Sequence, residues 1–235
     1  MKFRDFYLSP EKKAPTLLIS ATRARYTDRY NALKKIKKEI YVKIYIENEK
    51  SYYFHVLVPS DMREMHYDVV IHFTDSGDHM SLRDWDVKLF SNCPSFVYNY
   101  AYVYLKNNLF IPQLKDKLNN IVFETKPENT NPSKFIMYDK SIFYAIHHIF
   151  RNTRYISRYM IHRDSLNYNE SELINSIRSF DDIMNEISNN KKDTGINTLK
   201  KLGERSKVTK AVKKTKERIN KTVRRIAKIK PIKKK

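Results

Sequence analysis

Asp75, Asp86 and Lys88 have the residue types and the spacing of a metal-dependent phosphodiesterase centre. Such a centre places an acid at the end of one strand and an acid-x-Lys triplet on the next. Two carboxylates then hold Mg²⁺ while the lysine orients the attacking water. Asp116 with Glu124-Thr125-Lys126 repeats the pattern. In a chain that is 31% charged, such triplets arise readily on solvated strand faces, so a nuclease is the alternative reading and not the first. The seven histidines show no helical i, i+4 pair with a third ligand nearby. His147 and His148 are neighbours that a helix points apart, and His72 and His79 bracket a turn beside Asp75 and Asp78. Cys93 has no base partner in sequence and reads as a buried or turn thiol. Only three glycines occur (Gly77, Gly195, Gly203), which excludes the Rossmann fingerprint and the P-loop. No catalytic residue, no metal site and no cofactor is expected.

The charge is the stronger signal. Of the 46 Lys and Arg, 19 lie in residues 191–235 against three acids, while residues 1–190 are near neutral at +4. Every Phe, Tyr and Trp precedes residue 191. One segment can build a core and the other cannot, so the chain divides into a globular body, 1–190, and a basic tail, 191–235. In the tail, Val208, Val212, Thr215, Ile219, Val223 and Ile226 form one narrow apolar stripe at helical spacing. Repulsion between like charges on adjacent turns predicts a basic helix that is frayed or disordered until it binds. Nucleic-acid phosphate is its best partner, because counterion release drives such binding regardless of base sequence. The candidate DNA-binding residues are Lys207, Lys210, Lys213, Lys214, Lys216, Arg218, Lys221, Arg224, Arg225, Lys228, Lys230, Lys233, Lys234 and Lys235. An anionic membrane ranks below it, since the stripe offers β-branched residues and no aromatic to insert. A protein partner that reads the stripe is the remaining choice. No stretch approaches the roughly 18 apolar residues of a membrane span, and the start lacks the apolar core of a secretory signal.

The body must supply the framework. Glu39–Glu47 and Ser51–Val58 alternate apolar and polar residues around Asn48-Glu49-Lys50, which predicts a β-hairpin. Tyr67–Phe73 and Trp85–Phe90 read as two further strands, joined by a turn at Thr74–Asp78. The period then changes. Phe96, Val97, Tyr100, Ala101, Tyr104 and Leu105 share a helical stripe with Ser95 as its N-cap, and a second helix is expected from about Asp139 to Asn152. Asn169 and Glu172 form a capping box for one last helix that carries Leu173, Ile177, Phe180, Ile183 and Ile187. Pro10 and Pro15 predict an extended opening before a base-rich helix at Thr22–Ile36. The fold class is therefore α+β: a small antiparallel sheet of about four strands followed by packed helices, plus the basic C-terminal helix or disordered tail. The aromatic run Phe96–Tyr104 reads as core with some tyrosines facing outward for subunit contact, ahead of a base-stacking platform.

The block Trp85-Asp86-Val87-Lys88-Leu89-Phe90-Ser91-Asn92-Cys93-Pro94-Ser95-Phe96-Val97-Tyr98 resembles a segment of uncharacterised proteins of tailed bacteriophages that infect low-GC hosts. The resemblance implies a phage-encoded virion component facing packaged DNA in the capsid, portal or neck. It also implies multi-copy assembly with other virion proteins, in the virion and, during assembly, in the host cytoplasm. The expected function is that of a non-enzymatic structural or assembly protein that binds double-stranded DNA non-specifically through its tail. The alternatives are the nuclease above and a phage-encoded nucleic-acid-binding regulator.

Overall fold

The computed structural model describes residues 1–10, 16–35, 38–60, 64–118, 131, 133–162 and 165–189. The chain divides into two units, Met1–Asn185 and Glu186–Lys235, and all but four residues of the second lie outside the described ones. The first unit is α+β, as its pattern predicts. Strands β1 (Tyr41–Asn48), β2 (Ser51–Pro59), β3 (His66–Thr74) and β4 (Asp86–Ser91) form an antiparallel meander. A two-residue strand, β5 (Leu166–Asn167), adds to β1 in parallel, so the sheet is mixed and runs β4-β3-β2-β1-β5.

Register explains the core. Ile44 faces Phe54, Phe54 faces Ile71 and Ile71 faces Leu89, so one sheet face is apolar across four strands. The helix Lys140–Arg151 packs on it. Its N-cap is Asp139, whose carboxylate accepts from the Ser141 and Ile142 amides, and it buries Ile142, Phe143, Ile146 and Ile149. Helix α2 (Thr16–Lys35) lies along this helix, with Tyr30 close to Tyr144 and Tyr26 close to Phe143. No helix of the described residues is long and apolar enough to cross a membrane.

The extended opening is not observed. Residues Phe3–Leu8 form a helix, α1, that buries Phe3, Phe6 and Tyr7. These aromatics sit at i, i+3 and i+4, which is a helical face, and the turn ends before Pro10, where a proline requires extended backbone. Phe3 stands edge-on to Phe73 of the sheet at 5.0 Å, and Tyr7 stacks on Phe150 at 4.2 Å. Residues 1–3 also bond the free edge of β4, with the Phe3 amide on the Trp85 carbonyl and the Val87 amide on the Met1 carbonyl. The Leu89 amide bonds the Leu109 carbonyl further along, so this sheet edge is covered.

Two helices break where the pattern predicts continuity. The stripe after β4 splits at Tyr100 into α3 (Pro94–Asn99) and α4 (Ala101–Lys106), with Cys93 and not Ser95 as the cap and Pro94 at the first helical position. Phe96 and Tyr104 are buried while Tyr98 faces out. The last stripe splits into Glu170–Ser176 and a helix over 180–189, because Ile177 is extended. Asn169 caps the first half through the Glu172 amide, as expected. Ser179 and Asp182 cap the second reciprocally, each side chain accepting from the other residue's amide.

If α1 is part of the core, Phe6→Ala destabilises the chain by about 3–5 kcal/mol, the usual loss for a buried aromatic. Urea unfolding of the full chain measures this. A loss under about 1 kcal/mol would mean that residues 3–8 are a loosely attached arm.

Candidate functional site

The fourteen candidate DNA-binding residues, Lys207 to Lys235, lie outside the described residues, as do Glu124, Thr125 and Lys126 of the second acid-x-Lys pattern. The first pattern is described, and each of its acids is engaged by other partners. Asp86 accepts from Lys2 Nζ at 3.0 Å and from the α-amino group of Met1 at 2.9 Å. Asp75 accepts from the Gly77 and His79 amides and lies 2.6 Å from His79 Nδ1, which makes it the organiser of its own turn. Lys88 is opposite His72 in the β3–β4 register, and Asp116 is exposed on the 3-10 turn Pro112–Lys117. Among the described residues, no group of three or more His, Cys, Asp or Glu side chains is gathered for a metal ion.

Six of the seven histidines lie within hydrogen-bond distance of hydroxyls or carboxylates. His147 Nδ1 lies 2.9 Å from the Tyr7 hydroxyl, His148 Nδ1 2.8 Å from that of Tyr30, and His162 Nε2 3.0 Å from that of Tyr52. His72 is stacked on Tyr53 at 4.0 Å and bonds Ser51 at 2.9 Å. A buried tyrosine needs a partner for its hydroxyl, and histidine is an aromatic one that can also pack.

The second sheet face carries a polar cluster that no motif announces. His55 (β2) and Asp68 (β3) lie on it, with His55 Nε2 2.8 Å from Asp68 Oδ1. Asp68 Oδ2 accepts from Asn92 Nδ2 at 2.8 Å and Arg178 Nε at 3.0 Å, and the Asp68 amide donates to Asn92 Oδ1. Ser176 Oγ lies 3.2 Å from His55 Nδ1. Serine, histidine and aspartate in one chain of contacts is the composition of an acyl-transfer relay. The geometry serves another purpose. Ser176 gives its proton to the Leu173 carbonyl at 2.8 Å, His55 is only 3% exposed, and Asp68 is also committed to Arg178. The cluster ties the segment after Glu170–Ser176 to β2 and β3.

A cleft of about 330 Å³ opens between α2, the start of α3 and the start of the helix Lys140–Arg151. Arg25 and Arg29, one helical turn apart and both exposed, line it with Lys140, while Tyr26 and Tyr67 supply its walls. Asp139 is the single acid in its lining, and burial pushes that carboxyl up. Cys93, also in the lining, is a buried thiol held high by the same desolvation and then by Asp139, which makes it a poor nucleophile. The sequence offered a signal for this cleft in the bases of α2, but only the fold brings Lys140 beside them.

Two titrations follow from these environments. Burial, assisted by Lys88 and opposed by Glu47, lowers His72 to about 4. A depressed histidine stabilises the fold above its unfolded value of 6.5 and loses that contribution as pH falls from there to about 4. For Asp68, burial alone would raise the carboxyl, but the His55 hydrogen bond and the Arg178 charge outweigh it and hold it low. Its contribution is present above the usual carboxylate range and is lost as pH falls through the lowered folded value. Urea midpoints measured from pH 7 to 3 should therefore fall in two stages, with His72→Gln removing the upper stage and Asp68→Asn the lower. At pH 7, Asp68→Asn should cost about 2–4 kcal/mol. Breaking a buried ion pair sets the scale, and the partial exposure of Arg178 discounts it. A midpoint that is flat between pH 6.5 and 4 would refute the His72 assignment.

Comparison with protein-family models, curated proteins and solved structures finds no match for this chain.

Proposed function

We propose that this protein is a non-enzymatic assembly protein that binds nucleic acid, most readily double-stranded DNA, through the phosphate backbone. The observation that carries the reading is the segregation of charge. Residues 191–235 hold 19 bases, three acids and no aromatic, while the near-neutral remainder holds every aromatic of the chain. A segment of that composition cannot pay for burial of a core, but it neutralises phosphates and releases their counterions wherever they are presented. The non-enzymatic part is supported by the internal pairing of Asp75 and Asp86, which spends both carboxylates on the fold.

The body is the docking half. Tyr41, Tyr98 and Tyr159 are exposed, and tyrosine favours protein interfaces because it combines a large ring with a polar tip. The virion is proposed as the setting on the resemblance of residues 85–98 alone. There a multi-copy capsid, portal or neck protein meets packaged DNA.

A salt series tests the reading. Each phosphate neutralised on duplex DNA adds about 0.9 to the slope of log affinity against log salt. Replacing Lys210, Lys213, Lys214, Lys216, Arg218 and Lys221 with glutamine in the full chain should lower that slope by about 5. The DNA should remain uncut when Mg²⁺ is present. An unchanged slope would move the interface off the tail, and nicked DNA would restore the nuclease alternative.

A further inference from the structure

The charge of the first 190 residues is itself concentrated. Helix α2 carries Arg23, Arg25, Arg29, Lys34 and Lys35 against Asp28, a net of +4 that equals the net of the whole 1–190 segment. Tyr30 and Leu33 of this helix are buried, while Arg25 and Arg29 are exposed and line the cleft. Lys140 meets them from a different element, so three cations from two helices converge on one cavity that contains a single carboxylate. Clefts lined by one sign of charge focus the field and raise the local concentration of counterions. The amides at the start of the helix Lys140–Arg151 are not the attraction, because Asp139 already caps them. The guanidinium groups are better suited to the task, since each presents a planar fork of donors that matches two phosphate oxygens.

We propose that this cleft is a phosphate-binding site that holds one backbone phosphate of the nucleic acid engaged by the tail. Arg25 and Arg29 grip the oxygens, Lys140 supplies the third charge, and Tyr26 and Tyr67 wall the cavity. The site rests on the reading of the chain as a nucleic-acid-binding protein and gives the body a direct part in it. The tail captures the strand without regard to position. The cleft then fixes where the body sits on that strand.

The test uses the full chain throughout. Duplex DNA is titrated over a salt series with the wild type, with the six-residue tail variant, and with Arg25→Gln/Arg29→Gln added to each. Adenosine monophosphate is titrated in parallel as a free phosphate source. The arginine pair should account for a slope of about 0.9 in both backgrounds, one phosphate neutralisation on duplex DNA. Arg25→Lys/Arg29→Lys should restore most of that slope, which a merely structural role would not allow, and unchanged thermal midpoints will show that all variants fold. If the tail variant lowers the slope while the arginine pair changes nothing, the cleft proposal is overturned and the tail reading stands. If the tail variant has no effect and the arginine pair abolishes binding, the cleft stands and the tail reading fails. Binding of the mononucleotide without binding of DNA overturns the assignment to a strand.

Discussion

A carboxylate at 1% exposure in the middle of a sheet dictates much of this architecture. Asp68 belongs to a strand position that alternation places on the face opposite the apolar core, where water would ordinarily solvate it. Here that face is covered, and an ionised carboxylate without water needs partners of its own. It finds them on three elements: His55 from β2, Asn92 from the turn after β4, and Arg178 from the segment after Glu170–Ser176. The extended backbone at Ile177 breaks an otherwise continuous helical stripe, and the next residue, Arg178, reaches Asp68. Ser179 and Asp182 then restart the helix with a capping box. The break is the local cost of satisfying a distant buried charge.

The aromatic inventory follows the same logic on the other face. Seventeen tyrosines and twelve phenylalanines in a chain with three glycines make a core rich in rings and hydroxyls. Most buried hydroxyls are paired, the Tyr138 hydroxyl being an exception. Tyr104 uses the Met137 carbonyl, while Tyr7, Tyr30 and Tyr52 use histidines. The histidines that might suggest a metal site are thereby engaged in the packing. Asp75 and Asp86 are likewise engaged within the fold, Asp75 with its own turn and Asp86 with Lys2.

Positive charge is sorted in two places. The tail holds most of the net charge, and α2 holds as much as the net of the whole 1–190 segment. In α2, Tyr30 packs against Tyr144 while Arg25 and Arg29 are exposed, so the packing that helps build the core also presents these two arginines to the cleft. Structure and electrostatics are one arrangement there, and a substitution that rotated α2 would alter both.

Local pattern by itself determined the four long strands, the hairpin, the helix capped by Asp139 and the segregation of charge. Each of these depends on neighbours within a few residues, on alternation, caps and turns. The tertiary structure decided what depends on distant partners. Phe3, Phe6 and Tyr7 become helical because Phe150, Tyr104 and Phe73 offer rings to receive them. The two-residue β5 exists only because β1 presents an open edge. Serine, histidine and aspartate from positions 176, 55 and 68 meet over more than a hundred residues of sequence, and Lys140 joins Arg25 and Arg29 over a similar span. No periodicity encodes such meetings, since they arise when separate apolar faces are buried together and the polar residues they carry must find one another.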